Sequence, residues 1–216
     1  MGTLRQEKVS ELLRRDPRFK VTTTRTKDTD LPLSERSEIA KNVQADLFVS
    51  IHVNSSYSSR LRGFEIYFQN QLLPSEEALF LAYKENMSQQ LYRSNEHALE
   101  AEKKGDVAQI LDDLKKSHDM HLSRKLASII RAHWLEKYPT RHHVIRQAPF
   151  RVLSTVPMPS ILVELGYISH KKESKWMAKS ETQKKMAYIL YNGLIDYKET
   201  LDKKHLQRHI VSHAQK

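Results

Sequence analysis

Two titratable residues stand where hydrophobic strands run out. The segment "DLFVSI", residues 46 to 51, leads directly into His52 and an Asn-Ser-Ser turn beginning at Asn54. Glu164 sits inside "SILVELG", flanked by Ile161, Leu162, Val163 and Leu165. An imidazole can ligate a metal or carry a proton. A carboxylate in so apolar a setting must be paired, protonated or placed at a strand's exposed end. A single histidine after a strand is commonly a hydrogen-bonded boundary residue, but two titratable groups at two strand ends describe a site better than either does alone. The 216-residue chain has no cysteine, so any metal must be held by histidine and carboxylate.

These residues must be positioned by alternating strands and helices. Leu4, Val9, Leu12 and Leu13 fall near one side of a short helix over residues 4–15, stopped because Pro17 disfavours helix at Asp16. "FKVTTTR" reads as a strand rich in β-branched residues. "LPLSERSEIAKNVQA" reads as a helix with Ser34 at its N-cap and Ile39, Ala40 and Val43 on its apolar side. "DLFVSI" is continuously apolar, as in strands covered on both faces, and "GFEIYF" alternates as a further strand. Helices are expected over 75–94, capped by Ser75, then over 106–116 and 120–137, separated around "KSHDM". "FRVLS" and "SILVELG" supply the last two strand candidates, and "QKKMAYILYNGLIDY" a closing amphipathic helix. The pattern predicts an α/β fold with a mixed, largely parallel sheet and helices on both faces. In such sheets chemistry gathers where strands end, which is where His52 and Glu164 fall.

Charge and composition narrow the partners. The chain carries 36 Lys and Arg against 26 Asp and Glu, a formal charge of +10, which favours anionic partners such as nucleic acid, acidic membranes or cell-wall polymer. No nucleic-acid motif appears, and the aromatics are not interleaved with basic residues as a base-stacking platform needs. No run approaches 18 apolar residues, so no transmembrane segment is expected, and the charged N-terminus lacks the apolar core of an export signal. His142 and His143 adjoin Arg141, while His205, His209 and His213 recur at four-residue spacing. Such spacing could align metal ligands on one helical face, but with no acidic partner these histidines read as solvated.

The segments "LPLSERSEIAKNVQADLFVSIHVNSS", "RGFEIYF" and, about a hundred residues later, "FRVLSTVPMPSILVELGYIS" together resemble the zinc-dependent N-acetylmuramoyl-L-alanine amidases of bacterial cell-wall turnover. The likeness runs from about Lys20 to Tyr197. Thr24-Arg25, Asp28, Leu33, Arg36, Ser50-Ile51-His52, Gly63-Phe64-Glu65, Glu85-Asn86, Pro159-Ser160 and Val163-Glu164 stand in family order. The resemblance implies an amidase-type, hydrolase-like domain over residues 1–200 with a basic, fraying tail over 201–216. It implies that His52 is a zinc ligand. Glu164 would activate the attacking water and pass its proton to the departing amine. The bond cut would join N-acetylmuramic acid to L-alanine in peptidoglycan. Asn54 and Gly166 match motif positions and would shape the turns around the site.

Two further expectations come with the resemblance. "GDVAQILDDLKKSHDMHLSRKLASII" resembles a helical insertion, here over 95–145, that in some periplasmic members covers the active site until an activator protein displaces it. An acidic side chain of the insertion approaches the metal there, and Glu100, Glu102, Asp106, Asp112 and Asp113 are candidates. At the front, the family's first strand, with a histidine ligand, and a glutamate ligand near its first helix would precede Met1. The chain would then be N-terminally truncated, with one of three protein ligands. Action in the periplasm or outside the cell is implied. The alternative is a catalytically inactive amidase-like protein that binds the wall or regulates.

Overall fold

The computed structural model describes residues 3–25, 31–69, 76–87 and 106–213. Within them, the order is α1 (Thr3–Arg14), α2 (Leu33–Asn42), β1 (Phe48–Asn54), β2 (Phe64–Phe68), α3 (Glu76–Met87), α4 (Asp106–Lys137), β3 (His143–Gln147), α5 (Arg151–Ser154), β4 (Ser160–Tyr167), α6 (Lys171–Ala178) and α7 (Ser180–His213). The strands form one sheet in the order β1-β4-β2-β3. β1 runs parallel to β4 and β2 parallel to β3, while β2 and β4 are antiparallel. The sheet is therefore mixed, with two of its three pairings parallel, as the alternation of elements predicts.

Side-chain alternation along the strands builds two cores. Phe64, Ile66 and Phe68 of β2, with Ile161, Val163 and Leu165 of β4, face α1, α4, α6 and α7. There Trp134 of α4 stacks on Phe64, with ring centroids 4.1 Å apart. The opposite face presents Phe48, Leu162 and Tyr67 to Ala40 of α2, Ala78, Leu81 and Ala82 of α3, and Val152 and Leu153 of α5. This second face also carries His52, Glu65 and Glu164, because each lies an even number of residues from those core positions. A helix thus covers the titratable residues instead of leaving them at an open strand end.

Several sequence expectations change. "FKVTTTR" is not a strand: residues 19–23 are irregular and pair with no ladder among the described residues, and β-propensity cannot substitute for a neighbouring edge. "FRVLS" forms the short helix α5, with Val152 and Leu153 both buried. The strand beside β2 is instead "HVIRQ", half-buried throughout, in which the short apolar pair Val144-Ile145 stands between polar residues. α2 has Pro32 at its N-cap, with no side-chain cap bond, in place of Ser34. Its buried side is Arg36, Ser37 and Ala40, while Val43 is 43% exposed.

The two helices expected on either side of "KSHDM" are one 32-residue helix, since nothing in that stretch breaks it. From Leu126 onward α4 is part of the core, with Leu126, Ala127 and Ile130 fully buried. Its first half carries apolar side chains into solvent. The basic segment expected to fray continues α7 as helix to His213.

A polar clamp ties α1 to α7. Asp16 accepts from the Arg18 backbone N–H at 3.0 Å, from Arg18 Nε at 2.9 Å and Nη2 at 2.7 Å, and from the Tyr191 hydroxyl at 2.9 Å. The Arg18 guanidinium holds the Asp16 carboxyl well below the usual carboxylate range, against the opposing effect of burial. A carboxyl depressed on folding contributes stability that is present above its unfolded value of about 3.9 and lost as pH falls below it. Asp16→Asn should therefore melt at a lower temperature than the parent at pH 7, with the gap closing on acidification below about pH 4. Thermal unfolding followed by circular dichroism from pH 7 to pH 2.5 checks this.

Candidate active site

Strand register places three titratable residues in one row. His52 of β1 lies opposite Glu164 of β4, and Glu164 lies opposite Glu65 of β2. Directly opposed residues share a face and have Cβ atoms about 4.5–5.5 Å apart, so the row follows from the pairing itself. The β1–β4 register shifts between His52 and Asn54, where Asn54 comes opposite Tyr167. The irregularity falls where Gly166 has φ +148°. A Cβ there would come within 2.7 Å of Met177 Sδ and 3.1 Å of Glu173 Cδ, so only glycine fits. Asn54 is buried, its side chain accepting from Ser55 N–H at 2.7 Å and its carbonyl from Ile168 N–H at 2.8 Å.

α3 adds a residue that the spacing of His52 and Glu164 did not single out. Glu85 Oε2 lies 3.6 Å from His52 Nδ1, and one ligand atom from each of His52, Glu85 and Glu164 falls within 4.8 Å of the others. Glu85-Asn86 was visible in the sequence only as a motif pair. Its helix comes to the site because Ala78, Leu81 and Ala82 are buried against the sheet. Lys84 Nζ donates to the Ser55 carbonyl at 2.6 Å. Asn86 donates to the Pro149 carbonyl at 3.2 Å and accepts from Arg151 N–H at 2.9 Å. Among the described residues, α3 supplies an acidic group at the site. Asp112 and Asp113 lie on the outer half of α4; Glu100 and Glu102 fall outside the described residues, as does the Asp106 side chain.

The electrostatics of the three groups differ. Glu164 is fully buried, and neither carboxyl oxygen has a hydrogen-bond partner among the described residues. Burial, then the charges of Glu85 and Glu65, hold its carboxyl well above the usual range, with Lys84 opposing. Burial also lowers His52 below its ordinary value; Glu85 works against this, and Arg36 and Arg25 reinforce it. The imidazole is consequently neutral, the form that ligates metal. Its Nε2 is 2.9 Å from Ser50 Oγ, which fixes the ring with Nδ1 towards Glu85. Glu65 is buried and accepts from the Tyr67 hydroxyl, with Tyr167 also hydrogen-bonded to it. Both phenols are held above their ordinary range, chiefly by burial and then by the Glu65 charge.

With that geometry in place, comparison with known proteins is decisive. Residues 5–196 match the family model described as N-acetylmuramoyl-L-alanine amidase, Amidase_3. The chain belongs to this amidase family. It is 28% identical over 192 residues to the probable N-acetylmuramoyl-L-alanine amidase AmiB of Haemophilus influenzae, covering 88% of this chain and 44% of that protein. It is 31% identical over 183 residues to the N-acetylmuramoyl-L-alanine amidase AmiA of Salmonella typhimurium, covering 81% and 59%. The chain thus spans about half the length of the curated relatives it matches. Among solved structures, the catalytic domain of the amidase CwlV from Bacillus (Paenibacillus) polymyxa var. colistinus superposes with a TM-score of 0.64 at 25% identity, over 91% of this chain and 82% of that one.

A third buried carboxylate braces the candidate site from behind. Glu173 of α6 accepts from the Gly63 N–H at 3.1 Å and from the Tyr167 N–H at 2.8 Å, joining the start of β2 to the end of β4. Arg141 Nη1 stands 3.9 Å away, its guanidinium 3.6 Å from the centroid of the Trp176 ring. His142 and His143 lie beside this brace, not in the His52 row. The side chains of His205, His209 and His213 fall outside the described residues. Glu173→Ala strands two buried N–H groups and should cost about 3 kcal/mol of stability. Urea denaturation of variant and parent measures the loss.

Proposed function

We propose that this chain is a metal-dependent hydrolase that cuts the amide between N-acetylmuramic acid and L-alanine in peptidoglycan. The observation that carries the reading is Glu164: a fully buried carboxyl, without a hydrogen-bond partner among the described residues, beside a neutral imidazole and a second carboxylate. A buried carboxyl with no partner is costly, and persists where it has a proton to carry or an ion to face. Imidazole with carboxylates and no thiolate is a donor set that suits zinc. His52 and Glu85 would hold the ion. When bound, zinc would supply Lewis acidity towards the amide carbonyl and the attacking water.

The remaining work falls to this chain's own residues. Glu164 takes a proton from the attacking water as its oxygen joins the carbonyl carbon. It returns that proton to the alanine nitrogen as the carbon–nitrogen bond breaks. Burial and the neighbouring carboxylates, which hold Glu164 well above the usual carboxylate range, suit this exchange because they make it a stronger base towards the water than an ordinary carboxylate. Ser50 orients the His52 ring. The wall substrate implies action in the periplasm or outside the cell. No helix among the described residues is long and apolar enough to cross a membrane.

α3 also closes the site, with Glu85 pointed at His52 and the Lys84 and Asn86 bonds holding the helix down. Leu79, Phe80, Tyr83 and Met87 on α3 are exposed, as are Val107, Ile110, Leu111 and Leu114 on α4. These apolar side chains support a protein activator that draws α3 away. Hydrolysis of purified muropeptide, followed by release of free peptide amine, tests the reading. His52→Ala and Glu164→Gln should each lower the rate by a factor of about 10² to 10⁴. Asn86→Ala, which frees the end of α3, should raise it. Full activity in both site variants would overturn the assignment.

A further inference from the structure

Behind the sheet, on the face away from the His52 row, lies a cationic cavity of about 610 Å³. The stretch leading into β2, the turn after α4 and the start of α6 enclose it, and Arg62, Arg141, His142, His143, His170 and Lys172 line it. α4 and α6 pack on the core below the sheet, whereas α2, α3 and α5 cover the face that carries His52 and Glu164. The cavity therefore shares no residue with the row. The acidic residue in its wall is Glu173, which accepts from two backbone N–H groups and faces Arg141. Arg62, Arg141 and Lys172 bring three positive charges against that one engaged carboxylate. Arg62 and Lys172 have no ion pair or hydrogen bond to their side chains among the described residues. Like charges converging on one concave space raise the local concentration of anions.

Several groups are set in place before anything binds. The Arg141 guanidinium lies flat against Trp176, 3.6 Å from the ring centroid, and a stacked guanidinium loses little freedom when it binds an oxyanion. His143 Nδ1–H donates to the Arg141 carbonyl at 2.9 Å, which fixes the turn that carries this arginine. His170 Nδ1 accepts from the Glu173 N–H at 3.1 Å. That bond places the ring proton on Nε2, which is then a hydrogen-bond donor. Gly63 shapes the rim: its φ is +121°, and a Cβ there would come within 2.7 Å of the His142 carbonyl and 2.8 Å of its Nδ1. The His142 wall can approach β2 so closely only with glycine at this position.

The directions of the donors select the ligand. Arg62 enters from the stretch before β2, Arg141 from the turn after α4, and His170 and Lys172 from the start of α6. A carboxylate offers two oxygens in one plane, whereas a tetrahedral phosphoryl group turns its oxygens towards several sides and pairs with guanidinium in the same bidentate way. Of the lining residues, Gly63 and Pro139 alone lack a polar side chain, so the cavity offers little to an acyl chain. We propose that this cavity is a binding site for a phosphate ester, separate from the hydrolytic site. Arg141 and Arg62 take the phosphoryl oxygens, His170 Nε2–H donates to one of them, and the exposed Lys172 adds charge at the mouth. Because the cavity lies behind the sheet, the bound ester leaves the His52 row open. A chain held through this site keeps its hydrolytic face turned away from the anchor.

The test is nuclear magnetic resonance of the isotope-labelled full chain, titrated in parallel with methyl phosphate and with acetate at low ionic strength. Methyl phosphate should shift the amide resonances of Gly63, His142 and His170 to saturation, leave those of His52 and Glu164 in place, and bind about tenfold more tightly than acetate. The double variant Arg62→Gln/Lys172→Gln, with unchanged circular dichroism, should bind about tenfold more weakly. Lys41→Gln/Lys116→Gln removes the same charge from exposed positions on α2 and α4 and should bind as the parent does, as should Glu164→Gln. Equal affinity for acetate, equal loss in the two lysine-bearing double variants, or shifts confined to the His52 row overturn the proposal. So does co-sedimentation with phosphatidylglycerol vesicles by a chain that does not bind methyl phosphate, since the charge would then serve a membrane surface. The readout is binding alone, so a chain that hydrolyses nothing yet binds methyl phosphate here upholds the site and sinks only the hydrolase reading.

Discussion

The site depends on the pairing of β1 with β4. Parallel register brings His52 opposite Glu164, and the antiparallel pairing of β4 with β2 brings Glu65 to the other side of Glu164. A slip of one residue in either ladder would turn these groups to opposite faces. The hydrophobic residues between them prevent that slip. Val163 and Leu165 are locked into the core beneath the sheet, which commits Glu164 to the face above. The apolar cores thereby hold two carboxyls and an imidazole in an arrangement that is electrostatically costly by itself.

That cost is met unevenly, and the unevenness separates roles. Glu173 is buried but satisfied by backbone N–H groups, so it braces the strand ends. Glu65 is buried and satisfied by tyrosine hydroxyls. Glu164 is buried and satisfied by nothing among the described residues. Of these three buried carboxyls, it alone has no hydrogen bond among the described residues to hold its proton in place. Burial sequesters all three; the hydrogen bonds decide which of them can react.

Much of this was legible in the sequence. "LFVSIH" and "LVELG" announce buried strands carrying one titratable residue each, and the alternation of elements indicates the mixed sheet. What was not legible depends on long-range contacts. "HVIRQ" is a strand because β2 offers its short Val144-Ile145 pair an edge to bond. "FKVTTTR" has the preference and no ladder. Glu85 reaches His52 because Ala78, Leu81 and Ala82 of α3 share a buried cluster with Leu162 of β4, about 80 positions away in the chain. Of the acidic candidates, Asp112 and Asp113 lie on the first half of α4, where Val107, Ile110, Leu111 and Leu114 meet solvent.

The most direct test of the central claim is anomalous scattering at the zinc edge from crystals of the chain equilibrated with zinc. The account predicts an anomalous peak about 2.0–2.2 Å from a His52 ring nitrogen and beside the Glu85 and Glu164 carboxylates. Zinc found away from His52, or no peak in that row at saturating metal, would contradict it.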